Sequence, residues 1–234
     1  MTSDANITRD ANQNSDVNKN SAASATTELD QLLLDVRACT LCAPHLPHGV
    51  RPVLQMGMGA RILIVGQAPG RKVHESGVPF NDVSGDRLRV WLGVDRDTFY
   101  DAGRVALLPM GFCFPGTLRG VPGAPQGSSR GGDLPPRPEC AITWRARLLA
   151  HLHQVQLTVV LGRYALNWHM CDEQRTAGES SVTALVQNWR RYAPEKFVLP
   201  HPSPRNQLWV RRNAWFEAEL LPALRARVAQ VLTD

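Results

Sequence analysis

The sequence predicts an α/β protein, a three-layer α/β/α sandwich around a central, mainly parallel four-stranded sheet. The first observation is four short runs of β-branched residues and leucine, each typical of a strand buried on both faces. These runs are RILIVG (61–66), RVALLP (104–109), LTVVLG (157–162) and KFVLP (196–200). The second observation is that helical patterns lie between the runs, which implies right-handed crossovers between parallel strands.

Helical patterns precede, separate and follow the predicted strands. They cover residues 28–37, 85–92, 138–151, 163–170, 182–192 and 213–232. In a parallel sheet, ligands bind where loops leave the carboxyl ends of the strands. Three such loops are rich in glycine, proline and polar residues: GQAPGRKVHESGVPFND, PMGFCFPG and HPSPRN. We expect them to converge on one pocket.

Residues 1–27 are predicted to form a disordered tail, and residues 28–234 a single folded domain. The tail is rich in Asn, Ser, Ala, Thr and Asp and has no aromatic residue. It therefore buries too little apolar surface to offset the entropy of ordering it. The segment 116–138 is dominated by glycine and proline and is longer than an ordinary connection, which predicts a flap or an insertion.

The chain is basic, with 26 Lys and Arg against 21 Asp and Glu and a formal net charge of +5. Residues 1–28 hold four acidic and two basic side chains, a net of −2, so the remainder carries +7. Of the 26 basic residues 23 are arginine, whose forked guanidinium suits phosphate, although a genome that prefers arginine codons would give the same ratio. The net charge predicts an anionic partner.

The sequence shows neither a membrane span nor an export signal. No stretch approaches the roughly 20 consecutive apolar residues of a span, and no basic segment followed by an apolar run begins the chain. We therefore expect a soluble, cytoplasmic protein with no membrane partner. Five cysteines, an odd number, argue against a disulfide framework in that setting.

Four of the five cysteines could bind a metal centre. Cys39 and Cys42 form a C-x-x-C after the first predicted helix, Cys113 follows the second strand, and Cys140 opens a later helix. Such a set can supply four thiolates to zinc or to an iron–sulfur cluster, and spacing alone does not separate the two. Lone cysteines are often small buried hydrophobes instead. Cys171, which has no cysteine neighbour, is predicted to be structural.

The loop GQAPG (66–70) follows the first strand directly. It lacks the Lys-Ser/Thr of a P-loop and the spacing of a dinucleotide-binding motif, so a nucleotide cofactor is not predicted. Its glycines allow close backbone approach, and main-chain N–H groups with the Gln67 amide could line a small polar cavity. The alternative is a simple strand-to-helix turn.

Two further loops contain residues suited to binding. Phe80 follows Pro79 and precedes a helix that Asp82 or Ser84 could cap. An aromatic ring fixed in this way can stack on a planar base, although most phenylalanines belong to a core. His201 lies between two prolines at the end of the last strand, in a rigid loop that is either part of a site or a turn.

Together these motifs resemble the uracil-DNA glycosylase superfamily. The C-x-x-C, GQAPG, GVPF and the later cysteine pair are similar to the iron–sulfur uracil-DNA glycosylases, in which a G-E-x-P-G loop, a P-F dipeptide and four cluster cysteines recur in that order. HPSPRN resembles the corresponding motif of single-strand-selective monofunctional uracil glycosylases. The resemblance runs from about residue 28 to residue 232.

The resemblance implies roles for individual residues. His201 would face O2 of a flipped uracil, and Gln67 would lie near the attacked sugar carbon. The implied substrate-binding residues are Phe80, as a stacking platform, with Gly66, Ala68, Met110 and Gly111. The implied DNA-binding residues are Ser203, Pro204, Arg205 and Asn206. The implied cofactor is a 4Fe–4S cluster, with zinc as the alternative, on Cys39, Cys42, Cys113 and Cys140.

One departure from the family pattern concerns the attacking water. Gln67 and Ala68 occupy the positions where a carboxylate or an asparagine would hold it. A glutamine can hold water but cannot accept its proton. Asp82 is therefore predicted to be a catalytic residue, and Glu75 and His74 are the other candidates nearby.

A second departure concerns base recognition. In the family the second strand leads to an asparagine that reads uracil, whereas here the run is LPMGFCFPG. Either backbone groups of Met110 or Gly111 read the base, or the specificity differs.

The sequence thus predicts a monomeric DNA-repair enzyme, a glycosylase that flips uracil or a related deaminated base out of DNA and hydrolyses its N-glycosidic bond. His201 would stabilise the anion that develops on the base. One alternative is a non-catalytic or altered-specificity nucleic-acid-binding protein of the same fold. Another is a zinc-stabilised binding module with an unrelated ligand.

Overall fold

Four parallel strands form the central sheet in the computed structural model, which describes residues 28–117, 132–170 and 181–233. The strands are β1 (Ile62–Val65), β2 (Val105–Leu107), β3 (Leu157–Leu161) and β4 (Lys196–Leu199). They lie in the order β2-β1-β3-β4, and each neighbouring pair is parallel. All residues of β1 and β2 are buried, as expected for strands covered on both faces.

Short helices connect the strands. Within the described ranges the α-helices are α1 (28–37), α2 (Arg71–Ser76), α3 (Val83–Leu92), α4 (Arg96–Tyr100), α5 (Pro138–Cys140), α6 (Ala146–Leu149), α7 (Gly162–His169), α8 (Val182–Gln187), α9 (Gln207–Arg212) and α10 (Leu221–Thr233). Two π-helical turns, Ala141–Arg145 and Phe216–Leu220, precede α6 and α10. Three 3-10 turns cover Ala43–His45, Trp189–Arg191 and Pro204–Asn206.

The chain divides by its internal contacts into two units, Met1–Ala38 and Cys39–Asp234. Helix α1 is the described part of the first unit, and every other element belongs to the second. The predicted tail, Cys171 and residues 118–131 of the glycine- and proline-rich segment lie outside the described residues.

The strand order confirms the predicted α/β fold class. The connection from β1 leads to β2 on one side, whereas the connections to β3 and β4 run in the opposite direction across the sheet. With right-handed crossovers, α2 to α4 cover one face and the helices of the later connections cover the other. Helix α10 contacts α3 and β3, which extends the first layer. The connections change direction between β1 and β3, and ligands bind at such a point in sheets of this type.

Three helices were not predicted from the sequence: α2, α4 and α9. They are too short to show helical periodicity. Asp95 starts α4 by accepting a hydrogen bond from the Thr98 N–H, a local capping signal. The single helix predicted for residues 213–232 is interrupted by the wider π-turn before α10. Pro222, which follows that turn, has no N–H to complete an α-helical hydrogen bond.

A buried arginine donates hydrogen bonds to the backbone at the carboxyl end of β2. Arg145 is only 1% exposed, and its Nη1 donates to the carbonyl oxygens of Leu108 and Pro109 at 3.1 and 3.3 Å. Its Nε donates to Nε2 of His169 at 3.2 Å. Burial lowers the pKa of Arg145 to about 10, and burial followed by the charges of Arg145 and Lys196 lowers the pKa of His169 to about 3. His169 is therefore a neutral acceptor.

Across the described ranges, no helix has the length and apolar character needed to cross a membrane.

Candidate active site

A cavity of about 480 Å³ opens at the carboxyl edge of the sheet. Its walls come from the loop after β1, the segment Pro79–Ser84, Pro109 after β2, the pair Gly132 and Asp133, and the loop after β4. Strands β1 and β4 lie on either side of β3 and are parallel to it, so the loops that follow them leave the same edge of the sheet. Of the three loops predicted to converge, the first and the third form most of the wall.

The loop after β1 presents Gly66, Gln67 and Ala68 to the cavity. The Gln67 side chain is fixed, because its Nε2 donates to the Leu134 carbonyl oxygen at 3.3 Å. The loop is also tied to the chain after β2, where the N–H groups of Met110 and Gly111 donate to the carbonyl oxygens of Gly66 and Gln67 at 2.9 and 3.0 Å. Met110 and Gly111 do not line the cavity.

Phe80 lines the cavity in a strained backbone conformation. Its φ of 54° lies in the left-handed region, which is uncommon for a residue other than glycine. Its ring packs edge-on against Phe99, with ring centroids 6.1 Å apart. A methyl group added at Gly66 would lie 3.3 Å from the tip of the ring, so Gly66 makes room for it. The ring is therefore held between the first loop and the core, in a position to stack on a planar group.

Asp82 also lines the cavity, and it has a structural role as well. It is the N-cap of α3, with its Oδ1 accepting a hydrogen bond from the Gly85 N–H at 2.9 Å. Its negative charge acts on His201 and partly opposes the effect of burial on the histidine.

His201 is the histidine of the cavity, and its surroundings define which ring nitrogen is protonated. Burial lowers its pKa from the usual 6.5, so the ring is neutral at pH 7. Its Nδ1 accepts a hydrogen bond from the Ser203 N–H at 3.2 Å, which leaves Nε2 as the protonated donor. Asn206 Nδ2 donates to the His201 carbonyl oxygen at 2.7 Å and fixes the backbone. The neutral ring can therefore donate one hydrogen bond to a ligand.

The rest of the loop after β4 surrounds His201. Ser203, Arg205 and Asn206 line the cavity, whereas Pro204 begins the 3-10 turn beside it. Arg87 of α3 anchors the loop, since its Nη1 donates to the Ser203 carbonyl oxygen at 3.2 Å. Helix α3 thus supports the loop after β4 and is itself capped by a residue of the cavity.

Two other residues proposed from the sequence to activate water lie elsewhere. The Nε2 of His74 is 3.0 Å from the His48 carbonyl oxygen, and the carbonyl oxygen of Glu75 accepts from Arg51 at 2.8 Å. Neither residue lines the cavity.

Sequence reasoning missed Asp133, which lines the cavity together with Gly132. Its segment is fixed by a bridge to Thr117 and by the Leu134 N–H, which donates to the Gly116 carbonyl oxygen at 2.9 Å. More than a third of Asp133 is exposed. Partial burial of its carboxyl group is the main cause that raises the pKa of Asp133; Asp82 raises the pKa further, and Arg205 opposes the rise. The only signal in the sequence is an acidic residue within a glycine- and proline-rich segment.

Four free cysteines lie outside the lining of this cavity: Cys39, Cys42, Cys113 and Cys140. Burial is the main cause that raises the pKa of Cys113 to about 11 and of Cys140 to about 12, and the other thiols add to both shifts. The Trp144 indole N–H lies 3.4 Å from Cys39 Sγ, and the Phe112 N–H lies 3.4 Å from Cys140 Sγ. In the part of the chain that the structure describes, no three His, Cys, Asp or Glu residues are grouped to hold a single metal ion.

The fold and the cavity define a class of protein. A parallel sheet whose carboxyl-end loops bring together a stacking aromatic, a neutral histidine donor and an arginine-containing loop is suited to hold a planar base attached to a charged backbone. The family model of the uracil DNA glycosylase superfamily matches residues 55–225, which is most of the chain, and the protein belongs to that superfamily.

Among solved structures, the chain is similar to a protein from Methanosarcina acetivorans determined by solution NMR and named provisionally as a uracil DNA glycosylase. The two share 17% sequence identity over 75% of this chain and 98% of that one, with a TM-score of 0.39.

Proposed function

We propose that the protein is a DNA glycosylase that removes uracil, or a related deaminated base, after the nucleotide has flipped into the cavity. The observation that carries this proposal is the neutral His201 imidazole, whose Nδ1 is occupied by the Ser203 N–H and whose Nε2–H remains to be donated. Membership of the superfamily supports a glycosylase-type activity.

The chemistry assigned to His201 follows from the reaction. When the bond between the base and the sugar breaks, its electron pair moves onto the base, and negative charge develops at O2. A preorganised donor at that oxygen stabilises the charge without reorganisation, and a single such donor is typically worth about 10²–10³ in rate. A neutral imidazole suits this role because the hydrogen bond that it donates becomes stronger as the negative charge develops at O2.

Phe80 and the loop after β4 supply binding. The Phe80 ring, held against Phe99, offers a face on which a flipped base stacks, and stacking of this kind is worth about 1–3 kcal/mol per base. Arg205 lies in the cavity wall, where a guanidinium can contact the phosphates beside the flipped nucleotide. We therefore infer that DNA is the partner, in keeping with the net charge of +5.

The identity of the base is the part of the proposal that needs the broadest test. The sequence offered backbone groups of Met110 or Gly111 as readers of the base, and their N–H groups donate instead to the carbonyl oxygens of Gly66 and Gln67. Because these donors are already used, a uracil-specific pattern is not supplied there. This favours, as a second candidate, the same reaction on xanthine, another deaminated base that carries an oxygen at C2.

The test uses single- and double-stranded oligonucleotides that bear one uracil, hypoxanthine or xanthine, with abasic sites cleaved by alkali after incubation. We expect strand scission with at least one base and a loss of about 10²–10³ in the single-turnover rate for His201→Ala. His153→Ala is the matched control, because this exposed histidine precedes β3 at the opposite edge of the sheet. No scission with any base, or equal rates for the two variants, refutes the proposal.

We further propose that the four cysteines hold a 4Fe–4S cluster that supports the fold. The chemistry of the donor set fits, since the four thiols are free and three of them act electrostatically on Cys140. N–H groups also lie beside the sulfurs of Cys39 and Cys140, as they do at cluster sulfurs. Zinc would draw all four sulfurs to about 2.3 Å from one point. A cluster would instead spread the same four ligands over four irons.

Iron and acid-labile sulfide analysis of protein purified without oxygen tests this cofactor. We expect about four of each per chain, with a broad visible absorption, and a loss of both in Cys113→Ser and Cys140→Ser. Cys171→Ser is the matched control and should keep its iron. Colourless protein with one zinc per chain would replace the cluster with the zinc alternative.

A further inference from the structure

We propose that Asp133 is the general base that takes a proton from the attacking water. This inference rests on the proposed glycosylase function and names the residue that performs a step which the first loop cannot perform. Gln67 and Ala68 line the cavity without contributing a carboxylate, and neither can accept a proton. The structure brings a carboxylate to this place from a segment 66 residues further along the chain.

The position of Asp133 relative to the first loop is fixed by three contacts. The Gln67 amide donates to the carbonyl oxygen of Leu134, the next residue, at 3.3 Å. The Asp133 carboxylate packs on the far end of the same loop, where a methyl group added at Gly70 would lie 3.5 Å from its Oδ2. The bridge between Asp133 and Thr117 holds the backbone in an extended form. The carboxylate and the Gln67 side chain therefore share one wall of the cavity.

The chemical setting of Asp133 suits a base. Asp133 lines the cavity and more than a third of the residue is exposed, so water can reach its carboxylate. The raised pKa of Asp133, caused first by burial and then by Asp82, makes the carboxylate a stronger base than one in open solution.

Asp82 is the competing carboxylate, because it lines the same cavity. Its Oδ1 accepts the Gly85 N–H at 2.9 Å and caps α3. A carboxylate that serves as a helix cap is held in place by that bond, and protonating it would weaken the cap. Asp82 is therefore a positioning residue that supports α3 and acts electrostatically on His201. The Asp133 carboxylate caps none of the helices in the part of the chain that the structure describes.

The bond between the sugar C1′ and the base nitrogen breaks, and its electron pair leaves with the base, whose O2 accepts a hydrogen bond from His201 Nε2. The water oxygen, held by Gln67, forms a bond to C1′. One proton of that water passes to the Asp133 carboxylate and is then released to solvent, while the base leaves as an anion and is protonated in solution. No oxidant, reductant or metal takes part.

The test measures single-turnover base excision by the full chain carrying Asp133→Asn, Asp133→Ala or Asp82→Asn. We expect Asp133→Asn to lower the rate by about 10²–10⁴, with affinity for the same oligonucleotide changed by less than about threefold. Sodium formate should restore part of the Asp133→Ala rate and should not restore His201→Ala. Formate rescue separates a base from a structural residue, because a small external carboxylate replaces a proton acceptor but does not repair packing.

The outcomes distinguish the two proposals. Active wild-type protein with an equally active Asp133→Asn variant overturns the role of Asp133 and leaves the glycosylase function standing. A rate loss that formate does not rescue, or that follows a matching loss of DNA affinity, also overturns it. Wild-type protein that excises no base from any substrate refutes the glycosylase function, and the role of Asp133 is refuted with it.

Discussion

Replacing Gly85 with alanine tests how tightly the Phe80 backbone is held. Gly85 lies in the first turn of α3, directly against the strained residue. An added Cβ would lie 1.7 Å from the Phe80 carbonyl oxygen, 2.7 Å from its carbonyl carbon and 2.9 Å from its Cβ. Two of these atoms belong to the backbone, so no side-chain rotation relieves the clash.

Two opposing effects set the size of the change. Helix propensity alone favours alanine over glycine by about 0.8–1.0 kcal/mol, and alanine also restricts the unfolded chain. The clash acts the other way, because the first turn of α3 and Phe80 must separate until the carbonyl oxygen is at least 3.0 Å away rather than 1.7 Å. Overpacking of this kind costs about 1–3 kcal/mol. We therefore expect a net loss of about 0–2 kcal/mol of unfolding free energy.

Activity should fall more steeply than stability. The stacking face moves by more than an ångström relative to the His201 loop, and a misplacement of about 1 Å can cost 10²-fold in rate. Urea unfolding and single-turnover excision measure the two effects. Gly103→Ala is the matched control, since its Cβ would meet only the movable Asp101 carboxylate, at 3.1 Å. A Gly85→Ala protein that is more stable than wild type and fully active would refute this account of Phe80.

Two further predictions concern charge. Because burial lowers the pKa of His169 to about 3, the unfolded chain binds a proton below pH 6.5 that the folded chain does not, and stability falls as the pH drops from about 6.5 towards 3. The stability advantage of wild type over His169→Gln should shrink by roughly 1.4 kcal/mol per pH unit in that window, and a constant difference in urea unfolding would contradict this. Arg205→Gln should weaken DNA binding and reduce the slope of log K against log salt by about 1. Arg104→Gln, at the opposite edge of the sheet, should leave the slope unchanged, and equal slopes for both variants would count against the phosphate contact.

The sheet was predictable because its strands are buried on both faces. RILIVG contains β1 with one extra residue at each end, and KFVLP contains β4 with one extra residue at its carboxyl end, since a continuous apolar run marks such a strand without any periodicity. The pocket followed from the same reasoning, because parallel strands send their carboxyl-end loops to one edge. His201 and Phe80 could be chosen in advance as members of that edge.

The geometry of individual site residues was not predictable. The sequence GVPFND does not predict the positive φ of Phe80. That conformation depends on packing against Gly66, 14 residues before Phe80, and Gly85, 5 residues after it. Met110 and Gly111 were proposed as base readers from their position after β2. Whether their N–H groups were available depended on hydrogen bonds to the neighbouring loop, and such tertiary contacts leave no local signal.

Asp133 shows most directly why sequence order and spatial order diverge in a site of this type. The loops that leave a parallel sheet meet at one edge, so a cavity there can receive a carboxylate from any of them. A position-by-position comparison with the family motif finds no acid at Gln67 or Ala68. The same cavity wall nevertheless contains an acid, Asp133, which a later segment of the chain supplies. Asp133 is linked to Gln67 through the hydrogen bond to Leu134. If the first loop needed its own carboxylate, the substitution at Ala68 would remove the reaction. With Asp133 in place, Gln67 has only to hold the water, and a neutral amide is sufficient for that.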